Sequence, residues 1–168
     1  MRRRIDRFIE DALLNFSDWY VSSSWLGKER DCVNKFVFGF LVENVRPGAA
    51  ISNFGQIRIE SAVPQPSNYI KKTAAKDLVI WNGCDETVWD ESWNPVNHPR
   101  VVLEWKFKRI GLQPSKFHSH DMNWLSNYTK EFHDTFGYLV RVYDGHKGRS
   151  VDWAKVRAGH IQETNRRS

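Results

Sequence analysis

Glu104 and Lys106 lie two residues apart in the apolar run Val101-Val102-Leu103-Glu104-Trp105-Lys106-Phe107, and Asp77 opens an earlier one, Asp77-Leu78-Val79-Ile80-Trp81. Side chains alternate across a β-strand, so Val102, Glu104, Lys106 and Lys108 share one face and Val101, Leu103, Trp105 and Phe107 the other. Neighbours on one face are roughly 6.5 to 7 Å apart along the strand, which lets a carboxylate and an ammonium group act on one metal-bound phosphate. No other D/E-x-K triplet occurs in the chain. The same alternation also describes an antiparallel strand with one wet face, where charge serves solubility alone.

The elements that must position these groups can be read from periodicity. Ile5, Phe8, Ile9, Ala12, Leu13 and Phe16 recur at helical spacing and predict an amphipathic helix over residues 2 to 16. Val33, Phe36, Val37, Phe40 and Leu41 predict a second over 25 to 45, ended by Pro47-Gly48, with Glu29 in its first turns. Helix-dipole complementation accounts for a carboxylate there without any chemistry. Gly55 to Val63 alternates as a strand, closed by Pro64-Gln65-Pro66-Ser67-Asn68, and should pair as a hairpin with the strand that Asp77 opens. Residues 100 to 108 form the third and more central strand. A third helix is expected from about Ser119 to Phe132, capped by Ser119 or Asp121, and Tyr138 to Tyr143 is the fourth strand. A strand, helix, strand succession implies a right-handed crossover and a parallel pair in a mixed sheet. The expectation is one α/β domain over residues 1 to 168, with a core at about 25 to 143 and a short basic tail at 145 to 168, helical around Val151 to Ala158.

Composition narrows the class. Hydrophobic content of 40% and charged content of 27% suit a globular protein, and no apolar stretch approaches the length of a membrane span. Met1-Arg2-Arg3-Arg4 is basic, but Asp6, Arg7, Glu10 and Asp11 interrupt any apolar export segment, so a cytoplasmic location is expected. Cys32 and Cys84 form no C-x-x-C pair and suggest neither a zinc ribbon nor a disulfide framework. The net charge of +5 makes a polyanionic partner plausible. Lys147, Arg149, Lys155, Arg157, Arg166 and Arg167 crowd the last residues, and Lys108, Arg109 and Lys116 follow the E-x-K run. Such clusters also arise simply as solvated surface.

Three strands carrying Asp77 and then Glu104-x-Lys106, preceded by a helix with Glu29 and followed by a helix and a strand, resemble the PD-(D/E)XK nuclease superfamily. The resemblance implies a restriction-endonuclease-like core, α-β-β-β-α-β, with a mixed four-stranded central sheet flanked by helices. It implies that Asp77 and Glu104 are metal carboxylates, that the Trp105 carbonyl is a further ligand, that Lys106 is the catalytic lysine and that Glu29 is the helix carboxylate. It also implies Mg²⁺ or Mn²⁺ as cofactor and hydrolysis of phosphodiester bonds, in DNA before other nucleic acids. Magnesium takes hard oxygen ligands and keeps several waters, so one or two carboxylates beside a substrate phosphate suffice to hold it. Candidate nucleic-acid contacts are Lys108, Arg109, Lys71 and Lys72. A homodimer would suit an enzyme that cuts two strands. Glu60, on the hairpin before Asp77, reads either as an auxiliary carboxylate or as a salt-bridged surface residue.

Two departures stand out. Position 76 is Lys rather than Pro, and residues 82 to 99 hold Asp85, Glu86, Trp89, Asp90, Glu91 and Trp93 without a Lys or Arg. That insertion would repel DNA, and a lid, a protein-partner surface and a hairpin turned away from the cleft are all open. His118-Ser119-His120-Asp121 could be a metal cluster, although two histidines before a helix more often cap or solvate it. No G-x-S-x-G, G-x-G-x-x-G or Walker A sequence appears. The rival from another class is a non-catalytic module on the same fold that binds nucleic acid or protein.

Overall fold

The computed structural model describes residues 2–108, 117, 119–145 and 148–167, with side chains described for 5–108, 117, 119–145 and 148–162. Its architecture is α/β: a six-stranded mixed sheet with three α-helices. Helix α1 (Arg2–Ser22) is followed by α2 (Glu29–Phe36), then β1 (Ile57–Pro64), β2 (Thr73–Ile80), β3 (Val101–Lys108), α3 (Ser119–Glu131), β4 (Phe136–Gly145), β5 (Gly148–Arg157) and β6 (His160–Arg167). Strand order in the sheet follows chain order. Every neighbouring pair is antiparallel except β3 and β4, which run parallel through the α3 crossover. Among the described residues no helix is long and apolar enough to cross a membrane.

Apolar side chains on the two faces of the sheet explain the layering. Leu78, Ile80, Val101, Leu103, Trp105, Tyr138, Val140 and Trp153 pack under α1 and α2 with Ile9, Leu13, Phe16, Val33 and Phe36. Val79, Trp81, Val102, Leu139, Ala154 and Val156 pack under α3 with Trp124, Leu125 and Tyr128. Strands β3 and β4 are thus buried on both faces, as their continuous valine and leucine content requires.

Two expectations need correction. The basic tail is neither a tail nor a helix: residues 148 to 167 form the β5–β6 hairpin and extend the sheet beyond four strands. Val151 and Trp153 face α1 while Ala154 and Val156 face α3, so the segment is a strand with two buried faces, whose apolar spacing is easily misread as helical. Two of its charges are committed, while Lys147 and the side chains of Arg166 and Arg167 lie outside the described residues. Lys155 bonds Asp6 and Glu10 of α1 at 2.7 and 3.1 Å, and Arg149 bonds Asp144 and the Ser23 carbonyl. The second helix is also shorter than expected. Regular α-helix ends at Phe36, and the chain continues through a π-helical turn (Val37–Leu41) and a 3₁₀ turn (Val42–Asn44). Gly39 lies within that π turn, where the poor helix propensity of glycine makes departure from the α form cheap.

A carboxylate and lysine cluster at a fork between two strands

The site is built by a fork. Strands β2 and β3 pair as Ile80 with Val101, Val79 with Val102 and Leu78 with Leu103; the next rung, where Asp77 would face Glu104, is not formed. Two carboxylates therefore stand where the strands begin to separate. The opening leaves backbone donors of β3 without a β2 partner, and acidic side chains take them. The Trp105 N–H donates to Asp77 Oδ2 at 2.7 Å, and the Phe107 N–H donates to Glu29 Oε2 at 3.1 Å. In an extended strand the N–H and C=O of one residue point to the same edge, so the Trp105 carbonyl also projects into the fork.

The fork has a cause in the neighbouring hairpin. β1 and β2 keep one register on both sides of Glu60, yet Glu60 itself has φ of 52°, a left-handed conformation uncommon for a non-glycine residue. Across that point the side-chain alternation inverts. Ile57 and Ile59 face α1 and α2, but Val63 lies under α3; on the partner strand Leu78 and Ile80 face α1 and α2, but Lys76 reaches Trp124 of α3. The twist directs Asp77 toward the strand gap and brings Lys76 to the α3 side.

Asp77 Oδ2 is held by the Trp105 N–H, one residue along β3 from Glu104, close enough for its charge to act on the Glu104 carboxyl. Glu104 is only 7% exposed, and its Oε1 accepts a hydrogen bond from Lys76 Nζ. Burial pushes the Glu104 carboxyl up to about 7; Lys76 pulls in the opposite direction and Asp77 adds to the rise. Lys106, on the same face as Glu104, sits between two helices. Its Nζ is 3.6 Å from Asp121 Oδ2 of α3 and 3.9 Å from Glu29 Oε1 of α2. Burial alone would depress the Lys106 ammonium, but the charges of Glu29, Asp121, Asp77 and Glu104 together raise it, so it is held protonated.

Of the residues singled out in the sequence, Glu29 and Asp77 line a cavity on the α2 side and Glu104 and Lys106 line another on the α3 side, with Lys106 Nζ reaching Glu29 Oε1 at 3.9 Å. Glu29, at the first position of α2, does more than complement a helix dipole, since it ties α2 to β3. Glu60 is salt-bridged, to Arg30 at 2.5 Å, with both side chains largely exposed. Lys71 and Lys72 are exposed in the turn between β1 and β2, away from the fork in sequence; Lys108 ends β3 beside a small pocket shared with Glu104, Lys106 and Asp121. Arg109, Lys116 and His118 lie outside the described residues. His120 is exposed at the start of α3, and among the described residues no group of three His, Cys, Asp or Glu side chains is arranged to hold a metal ion. Any ion at the fork would rest on the Asp77 and Glu104 pair with backbone and water oxygens.

Sequence reasoning missed Lys76 and Asp121 as members of the cluster. Lys76 breaks alternation, because strict period two places it with Leu78 and Ile80 on the other face. Asp121 was legible only as a helix cap or as part of the His118-Ser119-His120-Asp121 run. The acidic insertion is a compact loop: Asp90 accepts from the Ser92 and Asn94 N–H groups, Trp89 bridges to Pro95, and Val88 is buried under α3. Trp93 at its tip is 77% exposed.

Scans of the chain against protein-family models, curated proteins and solved structures returned no match.

Proposed function

We propose that the chain is a metal-dependent nuclease that hydrolyses phosphodiester bonds in DNA, built on a restriction-endonuclease-like core formed by α2, β1, β2, β3, α3 and β4. The observation that carries this reading is the convergence of Asp77, Glu104 and Lys106 where β2 and β3 part. The order α-β-β-β-α-β of these elements supports it, with α1 and the β5–β6 hairpin as additions. The donor set fits Mg²⁺ or Mn²⁺. The charge of Asp77 disfavours the ionised form of Glu104, and a hard divalent cation beside them would offset that repulsion through oxygen ligands.

Asp77 and Glu104 would hold the ion, with the Trp105 carbonyl beside them. A divalent ion bound there would polarise a phosphoryl oxygen and lower the pKa of a coordinated water. Lys106 would orient that water and offset the negative charge that builds on the phosphate in the transition state. Glu29 and Asp121 fix the Lys106 ammonium from opposite faces of the sheet and keep it charged. Lys108 flanks the site and suits contact with the DNA backbone; Lys71 and Lys72 lie further off.

Supercoiled DNA incubated with Mn²⁺ tests the reading. The wild-type chain should nick or linearise it, and Lys106→Met should not while keeping its circular dichroism spectrum. Full turnover by Lys106→Met would reject the role of that lysine.

A further inference from the structure

Lys76 is placed with unusual care for a lysine. It is 8% exposed, its Nζ lies 3.5 Å from the centroid of the Trp124 ring, and the same Nζ donates to Glu104 Oε1. Trp124 is itself fixed: its Nε1 donates to Gln65 Oε1 at 2.6 Å, and its ring stacks on Tyr128 at 4.6 Å between centroids. Gln65 in turn donates its backbone N–H to the Lys72 carbonyl across the hairpin that carries Lys76. The indole face attracts the cation, the carboxylate completes its coordination, and the hairpin twist at Glu60 delivers it there. A lysine needed only for solubility would not be buried this way.

We propose that Lys76 is a positioning residue for Glu104: the caged ammonium clamps one carboxylate oxygen, so that the other is presented with Asp77 to a single divalent ion. The inference rests on the metal-dependent reading above and extends it to a residue and a stoichiometry. Asp77 is clamped in the same manner by the Trp105 N–H, which leaves one oxygen on each carboxylate for the ion.

Mn²⁺ binding to the full chain, read by calorimetry and by electron paramagnetic resonance of free Mn²⁺, tests the proposal without reference to cleavage. Wild type should bind one Mn²⁺ per chain. Lys76→Met should weaken binding by about tenfold or more, the usual result of removing a group that orients a metal ligand. Lys76→Arg, which keeps a cation on the indole face, should retain most of the affinity, and Trp124→Leu should weaken binding without changing the charge of the site. Unchanged or tighter binding by Lys76→Met would overturn the proposal, the latter by showing that the ammonium competes with the ion. Two ions per wild-type chain would overturn it as well. If Lys76→Met does not fold, Trp124→Leu and Lys76→Arg decide by the same titration. Absence of any Mn²⁺ binding by wild type would instead reject the metal-dependent reading itself, a result distinct from wild-type binding that Glu104→Gln removes and Lys76→Met leaves intact.

Discussion

On the proposed reading, the raised Glu104 carboxyl would make metal binding strongly dependent on pH. A cation at the fork needs Glu104 ionised, and burial together with Asp77 holds its pKa at about 7 against an ordinary value of 4.5. Below pH 7 an ion must displace a proton, so apparent affinity falls about tenfold per pH unit. Between about pH 8 and pH 5.5 the loss from this one group is about 30-fold, whereas a carboxyl titrating at its ordinary position would lose only about a tenth. Mn²⁺ titrations across that range measure it directly. Glu104→Gln should abolish binding at every pH, and a wild-type Kd that changes by less than about twofold would refute the reasoning. The same shift has a consequence for folding without metal. A carboxyl whose pKa is raised in the folded chain contributes stability that is fully present below 4.5 and lost as pH rises to about 7. The loss is about 3 kcal/mol, so the difference in urea stability between wild type and Glu104→Gln should widen in favour of Gln over that window.

Other residues around the fork give sharper mechanical tests. Asp77→Asn keeps an acceptor for the Trp105 N–H and should fold normally, yet lose Mn²⁺ binding in the same titration. Trp105→Ala empties a fully buried site between Phe16 and Phe36 and should cost about 3 to 5 kcal/mol in denaturant unfolding. Trp105→Phe should cost far less, since it also removes a buried indole N–H that has no hydrogen-bond partner. Glu60→Gly relieves a left-handed backbone worth about 1 to 2 kcal/mol and gives up an exposed ion pair worth under about 1 kcal/mol. A small net gain in urea stability is expected; a loss would mean the conformation at Glu60 is unstrained.

The sequence makes the centre of this fold legible because β3 and the second half of β2 have strong local signals, although β2 begins at Thr73 and not at Asp77. Continuous valine and leucine runs define them, and the turn residues at 64 to 68 and 144 to 145 bound their neighbours. The parallel pairing of β3 with β4 follows from the helix between them. What escaped was non-local. Residues 148 to 157 carry apolar side chains for two faces, a pattern whose strand character is decided by the sheet edge it joins. The same limit applies to the site. Glu104 and Lys106 share a face by simple alternation, but Lys76 joins them only because the hairpin twists at Glu60, and no period reveals that. Asp121 reaches Lys106 through the packing of α3 on β4 and β5, which depends on tertiary contact rather than on spacing.

The measurement that bears most directly on the central claim is cleavage of linear, circular and branched DNA in Mn²⁺ by wild type and by Glu104→Ala, each with and without chelator. Wild type should cut at least one of these substrates, and both chelator and the substitution should stop it. Cleavage that persists at the wild-type rate in Glu104→Ala, or no cleavage of any substrate by a wild-type chain that binds Mn²⁺, would contradict the assignment of the fork as a nuclease site.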